Sequence, residues 1–449
     1  MVAERGRQIL ARGLPAQASP DLRAVCERLI AQRGEASGLA LATEIVAGLR
    51  RMTPAATSGF LMMLSRNFGT DVNTLDEAVE RWRRTRDQDS AGALAAAAES
   101  PRQELFRRIN MVPGGTAALV GLRGRLLHDL SEHPDLKAVD ADFRHLLTSW
   151  FNRGFLRLEQ IGWDTPAAIL ERLIQYEAVH EIHGWEDLRL RLAADRRCFA
   201  FFHPSLPDEP LIFVEVALCR GIPGSIRPLL DPGREVGRAE DADTAVFYSI
   251  SNCQKGLRGI SFGNFLVKQV TTELAAQLPR LKTFVTLSPV PGLAAAIRRS
   301  GDESGFTDER LARLTSDLRL DLGGRDLRAA LIDALELPGA PSRALGRVAA
   351  RLTLAYLLQI RRAGRVADPV AHFHLSNGAR LERIHPGGDP ADHTSLGVMV
   401  NYLYDRDRLE VNHEQYIETG RLIMSSELGN DGRRLSAAWN GEQVRAAKP

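Results

Sequence analysis

Cysteine is scarce in this chain. Four occur in 449 residues, at positions 26, 198, 219 and 253, and none stands in CxxC spacing. That pattern excludes a zinc ribbon and a disulfide framework, and it predicts a reducing compartment. Long apolar runs are missing as well: no stretch approaches the ~18 residues that span a bilayer. Neither sign of charge dominates, with 58 Lys and Arg against 56 Asp and Glu. A net +2 gives no reason to expect nucleic acid or a membrane surface as the main partner. The phosphate loops GxGxxG and GxxxxGK[ST] do not occur, Ser288 stands in no GxSxG nucleophile elbow, and "HEIHGWE" is no HExxH. Nicotinamide dinucleotides, ATP and zinc-protease chemistry lose their usual support. The opening "MVAERGRQILARGLPAQ" is basic without an apolar core, and Glu4 runs against a mitochondrial presequence, so a cytoplasmic protein is expected.

With 44% hydrophobic and 25% charged residues the chain reads as globular, and its length predicts two domains. The first part is helical in pattern. "PDLRAVCERLIAQRG", "SGLALATEIVAGLRRM", "TLDEAVERWRRTRD" and "TAALVGLRGRLLHDLSEH" place apolar residues at three- and four-residue spacing. Asp21 and Thr74 stand where N-caps belong. "FRHLLTSWFNRGFLRLEQIGW" continues the helical pattern, and "WDTPAAILERLIQYEAVHEIHGWEDLRLRLA" supplies two more helices, the first opened by Thr165 and Pro166. Near residue 197 the texture turns to strands. "RCFAFFHPS" and "PLIFVEVALC" predict a hairpin around "LPDEP". "TAVFYSIS", a glycine loop, a helix from about Asn264 to Leu278 and "KTFVTLSP" predict a βαβ crossover. Residues 292–367 read as a helical insertion. "VAHFHL" and "RLERIH" read as strands joined around Asn377-Gly378, followed by the strand "GVMVNYLYD" and a last helix opening near Asn412.

Three places carry chemistry. In "GLRGISFG" the glycines Gly256, Gly259 and Gly263 stand where a strand hands over to a helix. A helix start offers unpaired N–H groups, and glycine allows close approach, so this loop fits a pyrophosphate with Arg258 and Lys268 as charge partners. A plain glycine turn packing a helix onto a sheet fits it too. "TLSPVPG" places Ser288 at the carboxyl end of a strand, where open α/β sheets hold ligands, although serine also opens proline turns. "HFHLSNGA" puts His372 and His374 on one face of the expected strand. No third ligand stands at metal spacing, so a hydrogen-bonded core histidine or a general acid/base is the better reading.

In order along the chain, "RRCFAFFHPSLPDEPLIFVEVAL", "FYSISNCQKGLRGISFGNFLVKQV", "LSPVPG", "FHLSNGA" and "VNYLYD" resemble the malonyl-CoA decarboxylase family. The resemblance is densest from about Trp163 to Tyr404 and implies an α+β protein. It has an N-terminal helical bundle over residues 1–155 and a catalytic domain of the acyl-CoA N-acetyltransferase (GNAT) fold over 156–449, with a helical insertion. It implies that Arg258, Gly259, Ile260, Ser261, Phe262, Gly263 and Asn264 bind malonyl-CoA, with Ser288 as proton acceptor and His374 as proton donor. Ser249 and Tyr404 match further polar residues near that site. Where animal members carry a glutamate this chain has Ser261, and the chain ends "RAAKP" without the peroxisomal SKL-type address.

The reaction so implied turns malonyl-CoA into acetyl-CoA and CO2. No cofactor or metal is expected, because the thioester itself accepts the electrons as an enolate. The resemblance also implies a homodimer or homotetramer. Two other functions share the loop and the fold: an N-acetyltransferase using acetyl-CoA, and a non-catalytic acyl-CoA-binding module. Ser288 and His374 together favour decarboxylation over both.

Overall fold

The computed structural model describes residues 21–260, 266–301, 305–318, 320–336 and 341–441. Two compact units emerge. The first comprises the chain up to Arg157 with Phe201–Ile212 and Asn252–Gly263, and the second comprises Leu158–Ala200, Phe213–Ser251 and the chain from Asn264 on.

The first unit is built of helices, as the spacing predicts. Eight α-helices run from Leu22–Ala31 to Lys137–Trp150 among the described residues. In Leu22–Ala31 the apolar stripe buries Val25, Cys26 and Leu29, and Phe106 stacks on Phe143 with ring centroids 4.2 Å apart. Asp21 does cap its helix, accepting from the Arg23 N–H. Thr74 does not: the helix Val72–Thr85 starts earlier, and Asp71 caps it by accepting from the Thr74 N–H. Aspartate and threonine both make good caps, and the one nearer the true start prevails. No described helix is long and apolar enough to cross a membrane.

The second unit centres on a mixed sheet. Its strands are β1 (Arg157–Ile161), β2 (Arg196–Phe202), β3 (Ile212–Cys219), β4 (Thr244–Asn252), β5 (Thr283–Thr286), β6 (Ser288–Pro289), β9 (Arg380–His385) and β10 (Met399–Leu403). The strands β7 (Arg361–Arg362) and β8 (Arg365–Val366) form a separate two-stranded ribbon. The main order is β1-β2-β3-β4-β5-β10-β6, with β9 beside β10. β1 corrects the sequence reading, which continued a helix through "RLEQI". Its residues are mostly exposed, with only Ile161 buried, as an edge strand permits. By contrast β2 and β3 are buried along nearly their whole length, as strands covered on both faces must be.

β4 and β5 pair in parallel, in register from Thr244 with Thr283 to Phe247 with Thr286. The helix Leu266–Gln277 makes the crossover between them, burying Leu266, Val267, Val270, Thr271 and Leu274. Beyond Phe247 the two neighbours part. β4 runs on to Asn252, whereas the chain after β5 turns to β6, which pairs antiparallel with β10, Ser288 opposite Val400. One sheet face carries Val246, Tyr248, Val285, Leu287 and Met399 in an apolar cluster with Ala217, Ile226 and Leu229. By strand alternation the other face carries Phe247, Ser249 and Ser251 of β4 and Ser288 of β6.

A second correction concerns "DPVAHFHLSNGA". The segment Pro369–Ser376 is a helix, not a strand. Asp368 caps it, accepting from the Val370 and Ala371 N–H groups, and Pro369 takes the first turn, where its missing N–H costs nothing. Gly378, at φ +83, ends the helix rather than turning a hairpin. Its N–H donates to the Leu375 carbonyl, and the Ala379 N–H to that of His374. An Asn-Gly pair meets the same left-handed requirement at a helix end as in a hairpin. The last of the expected helices spans Leu409–Thr419, and one more, Ser426–Asn440, follows it.

Candidate active site

A helix turns its side chains by about 100° per residue, so histidines two apart face different ways. His372 Nδ1 lies 2.8 Å from the Tyr416 hydroxyl. His374 turns to the sheet instead, where its Nε2 lies 3.1 Å from Ser288 Oγ. Its other nitrogen, Nδ1, lies 2.8 Å from the Tyr404 hydroxyl. The ring also stacks on Tyr402, centroids 4.7 Å apart. Ser288 and His374 are 7% and 3% exposed, so water competes little for either.

The backbone around this pair is fixed from both sides. Leu287 donates its N–H to the Phe247 carbonyl, and Tyr404 donates its own to Phe284. Asn401 donates from Nδ2 to the Thr286 carbonyl at 2.8 Å. The Asp368 carboxylate bonds both segments that carry the pair. One oxygen accepts from Val370 and Ala371 at the start of the His374 helix, and the other accepts from the Gly292 N–H at 2.9 Å, just past "SPVP". Gly292 has no room for a side chain, since a Cβ there would sit 2.0 Å from the Tyr356 hydroxyl.

Ser249 lies on the same sheet face, on the part of β4 that has left β5. Its hydroxyl donates to the Glu177 carboxylate, at 2.8 and 2.7 Å from the two oxygens, and Ser251 donates to the same group at 3.1 Å. The Val179 and His180 N–H groups complete the shell around Glu177. This buried carboxylate and Asp368 were not singled out from sequence. Asp368 had a signal, an aspartate before a proline at a helix start, hidden by the strand reading. Glu177 had none.

Of the glycine loop, Arg258 and Gly259 are exposed and Ile260 is buried. Gly259 adopts φ +77, which glycine alone takes without strain. Ser261, Phe262, Gly263 and Asn264 lie outside the described residues. Lys268, expected as a charge partner for phosphate, makes an ion pair with Glu410.

Comparison with known proteins decides the family. Residues 154–444 match the model of the malonyl-CoA decarboxylase C-terminal domain, and residues 68–151 match that of its N-terminal domain. Mitochondrial malonyl-CoA decarboxylase of the goose Anser anser anser is 34% identical over 391 residues, covering 81% of this chain and 77% of its own. Crystal structures of malonyl-CoA decarboxylases from Rhodopseudomonas palustris and Agrobacterium vitis are each 48% identical, with TM-scores of 0.83 and 0.80, over 92% of this chain and all of theirs. This chain belongs to the malonyl-CoA decarboxylase family.

As a malonyl-CoA decarboxylase family member, the protein is a carboxy-lyase, and its electrostatics bear on that chemistry. Burial pulls the His374 imidazolium pKa down to about 3, so the ring is neutral near pH 7. Burial likewise pushes the Tyr404 phenol well above its ordinary 10.0, so it keeps its proton. Two hydroxyls thus flank one neutral imidazole. When Tyr404 donates to Nδ1, the ring proton sits on Nε2, facing Ser288. Among the described residues no group of three or more His, Cys, Asp or Glu side chains is disposed to hold a metal ion.

Proposed function

We propose that this carboxy-lyase converts malonyl-CoA into acetyl-CoA and CO2 through Ser288 and His374. The observation that carries the reading is the buried Ser288–His374–Tyr404 chain, with links of 3.1 and 2.8 Å. Ser288 Oγ hydrogen-bonds the malonyl carboxylate and holds its C–C bond out of the plane of the thioester. That bond breaks, CO2 departs, and the electron pair moves onto the thioester carbonyl as an enolate. The enolate carbon then takes the proton from His374 Nε2. Solvent entering as CO2 departs returns a proton to Nε2, while Tyr404 keeps donating to Nδ1 and so fixes the tautomer, and each turnover consumes one proton. A neutral imidazole is a weak acid, but a thioester enolate is a stronger base than imidazolate, so the transfer runs downhill. The low-dielectric surroundings of the pair strengthen each of these hydrogen bonds.

The expected binding of the coenzyme A diphosphate by residues 258–264 draws support from Gly259 at φ +77 and from the exposed Arg258 side chain. The test of the whole reading is CO2 release from malonyl-CoA with no amine present, by wild type, Ser288→Ala and His374→Ala. The wild type should turn over, and each variant should lose at least a hundredfold in kcat. A variant that keeps near-normal kcat removes the role given to its residue. Acetyl transfer to an added amine without CO2 release would replace the reading by N-acetyltransfer.

A further inference from the structure

Within the first unit the turn Lys255–Leu257 packs against the helix Gly115–Asp129 with no space between them. A Cβ on Gly256 would sit 1.8 Å from the Val120 carbonyl oxygen, and one on Gly124 would lie 3.5 Å from the Gly256 nitrogen. Arg123 reaches into this seam and is 1% exposed. Its Nη1 donates to the Gly256 carbonyl at 2.6 Å and to the Arg258 carbonyl at 3.0 Å. Its Nε donates to Asp140 at 2.8 Å. A guanidinium taken this far out of water persists only when paired and hydrogen-bonded, and the mechanism above makes no use of it.

The geometry of the peptide group gives this grip a direction. The Arg258–Gly259 peptide is trans and planar, so its N–H points opposite to its oxygen. With that oxygen held on Arg123, the Gly259 N–H is aimed away from the helix. Lys255, Arg258 and Gly259 are exposed, whereas Gly256, Leu257 and Ile260 are buried. The outward side of the turn therefore presents a backbone donor and two cations, a combination suited to a diphosphate.

We propose that Arg123, with Asp140 as its counter-ion, is a positioning residue for the coenzyme A diphosphate. By clamping the carbonyls of Gly256 and Arg258 it aims the Gly259 N–H at the ligand, which makes a residue of the helical N-terminal region part of the substrate-affinity machinery. The proposal rests on reading the glycine loop as the diphosphate site.

The experiment compares two substrates, malonyl-CoA and malonyl-pantetheine, the second lacking the diphosphate and nucleotide. Wild type should show a much lower KM for malonyl-CoA. Arg123→Ala and Gly256→Ala should each raise that KM tenfold or more with kcat within threefold, while kcat/KM for malonyl-pantetheine stays within twofold of wild type. Adenosine 3′-phosphate 5′-diphosphate, titrated by calorimetry, should bind wild type at least tenfold tighter than either variant. If Arg123→Ala fails to fold, Arg123→Lys carries the same expectation, since an ammonium cannot span both carbonyls and Asp140. Equal losses on both substrates, or no change in KM for malonyl-CoA, would overturn the role of Arg123. A wild type that treats both substrates alike and ignores the nucleotide would overturn the loop reading itself.

Discussion

Removing the Asp368 carboxylate should damage stability and catalysis together. The side chain is 0% exposed and accepts from the N–H groups of Val370, Ala371 and Gly292 at 3.0, 2.9 and 2.9 Å. Asp368→Ala leaves three donors without a partner in a region closed to water. Each orphaned buried group costs roughly 1–3 kcal/mol, and the lost helix cap is included in that sum. One term opposes this: burial raises the Asp368 carboxyl above its ordinary 3.8, so the native state already bears a desolvation cost that alanine relieves. The net loss should be about 3–5 kcal/mol, in the range seen when one partner of a buried charge network is removed. Asp368→Asn keeps an oxygen for Val370 and Ala371 but sets an amide against the Gly292 N–H, so about 1–3 kcal/mol is expected. Urea unfolding gives both numbers at constant m. Turnover of malonyl-CoA by the folded Asn variant should fall at least tenfold, because the segments bearing Ser288 and His374 are no longer tied to one group. An Ala variant within 1 kcal/mol of wild type, or an Asn variant with unchanged kcat, would refute the reasoning.

Tyr404→Phe should lower kcat at least tenfold with little change in KM, since it leaves His374 Nδ1 without its partner at 2.8 Å; equal kcat in steady-state assays would exclude a role for this hydroxyl in holding the ring proton on Nε2. The pH dependence of stability has a definite sign. His374 is held near 3 in the folded protein, against 6.5 as its ordinary value. Between those values the unfolded chain binds more protons, so this residue's contribution is present above about pH 6.5 and is lost as pH falls toward 3. His374→Asn should therefore flatten the wild-type slope in that window by up to ~1.4 kcal/mol per pH unit, measured by urea melts at several pH values; identical slopes would contradict a buried neutral ring.

Much of this was legible in the residues. Three-and-four spacing marked the helices of the first unit, most of whose stripes face a dry core, although Val72–Thr85 buries none of its residues. Nearly continuous apolar runs marked β2 and β3 because both of their faces are covered. The crossover from β4 to β5 followed from its length. What misled was local ambiguity. "VAHFHL" has the composition of a strand and Asn377-Gly378 that of a hairpin, and only the Asp368-Pro369 start spoke for a helix. Ser288 and His374 stood out by residue type and position, family likeness supplied the roles expected of them, and coordinates were needed to see that one histidine faces the serine while the other turns to Tyr416. Glu177 and Arg123 lay beyond sequence reasoning, for a buried charge shows its purpose only through partners distant in the chain. Arg123 meets carbonyls 133 and 135 residues away.

The distance between Ser288 and His374 along the chain has a consequence for biogenesis. They are 86 residues apart, and among the described residues four helices, from Gly292–Arg298 to Arg343–Gln359, lie between them. A nascent chain therefore exposes its serine strand well before the imidazole leaves the ribosome, and Tyr404 emerges later still. On the roles proposed for these residues, the site cannot assemble before the segment bearing Tyr404 has been made.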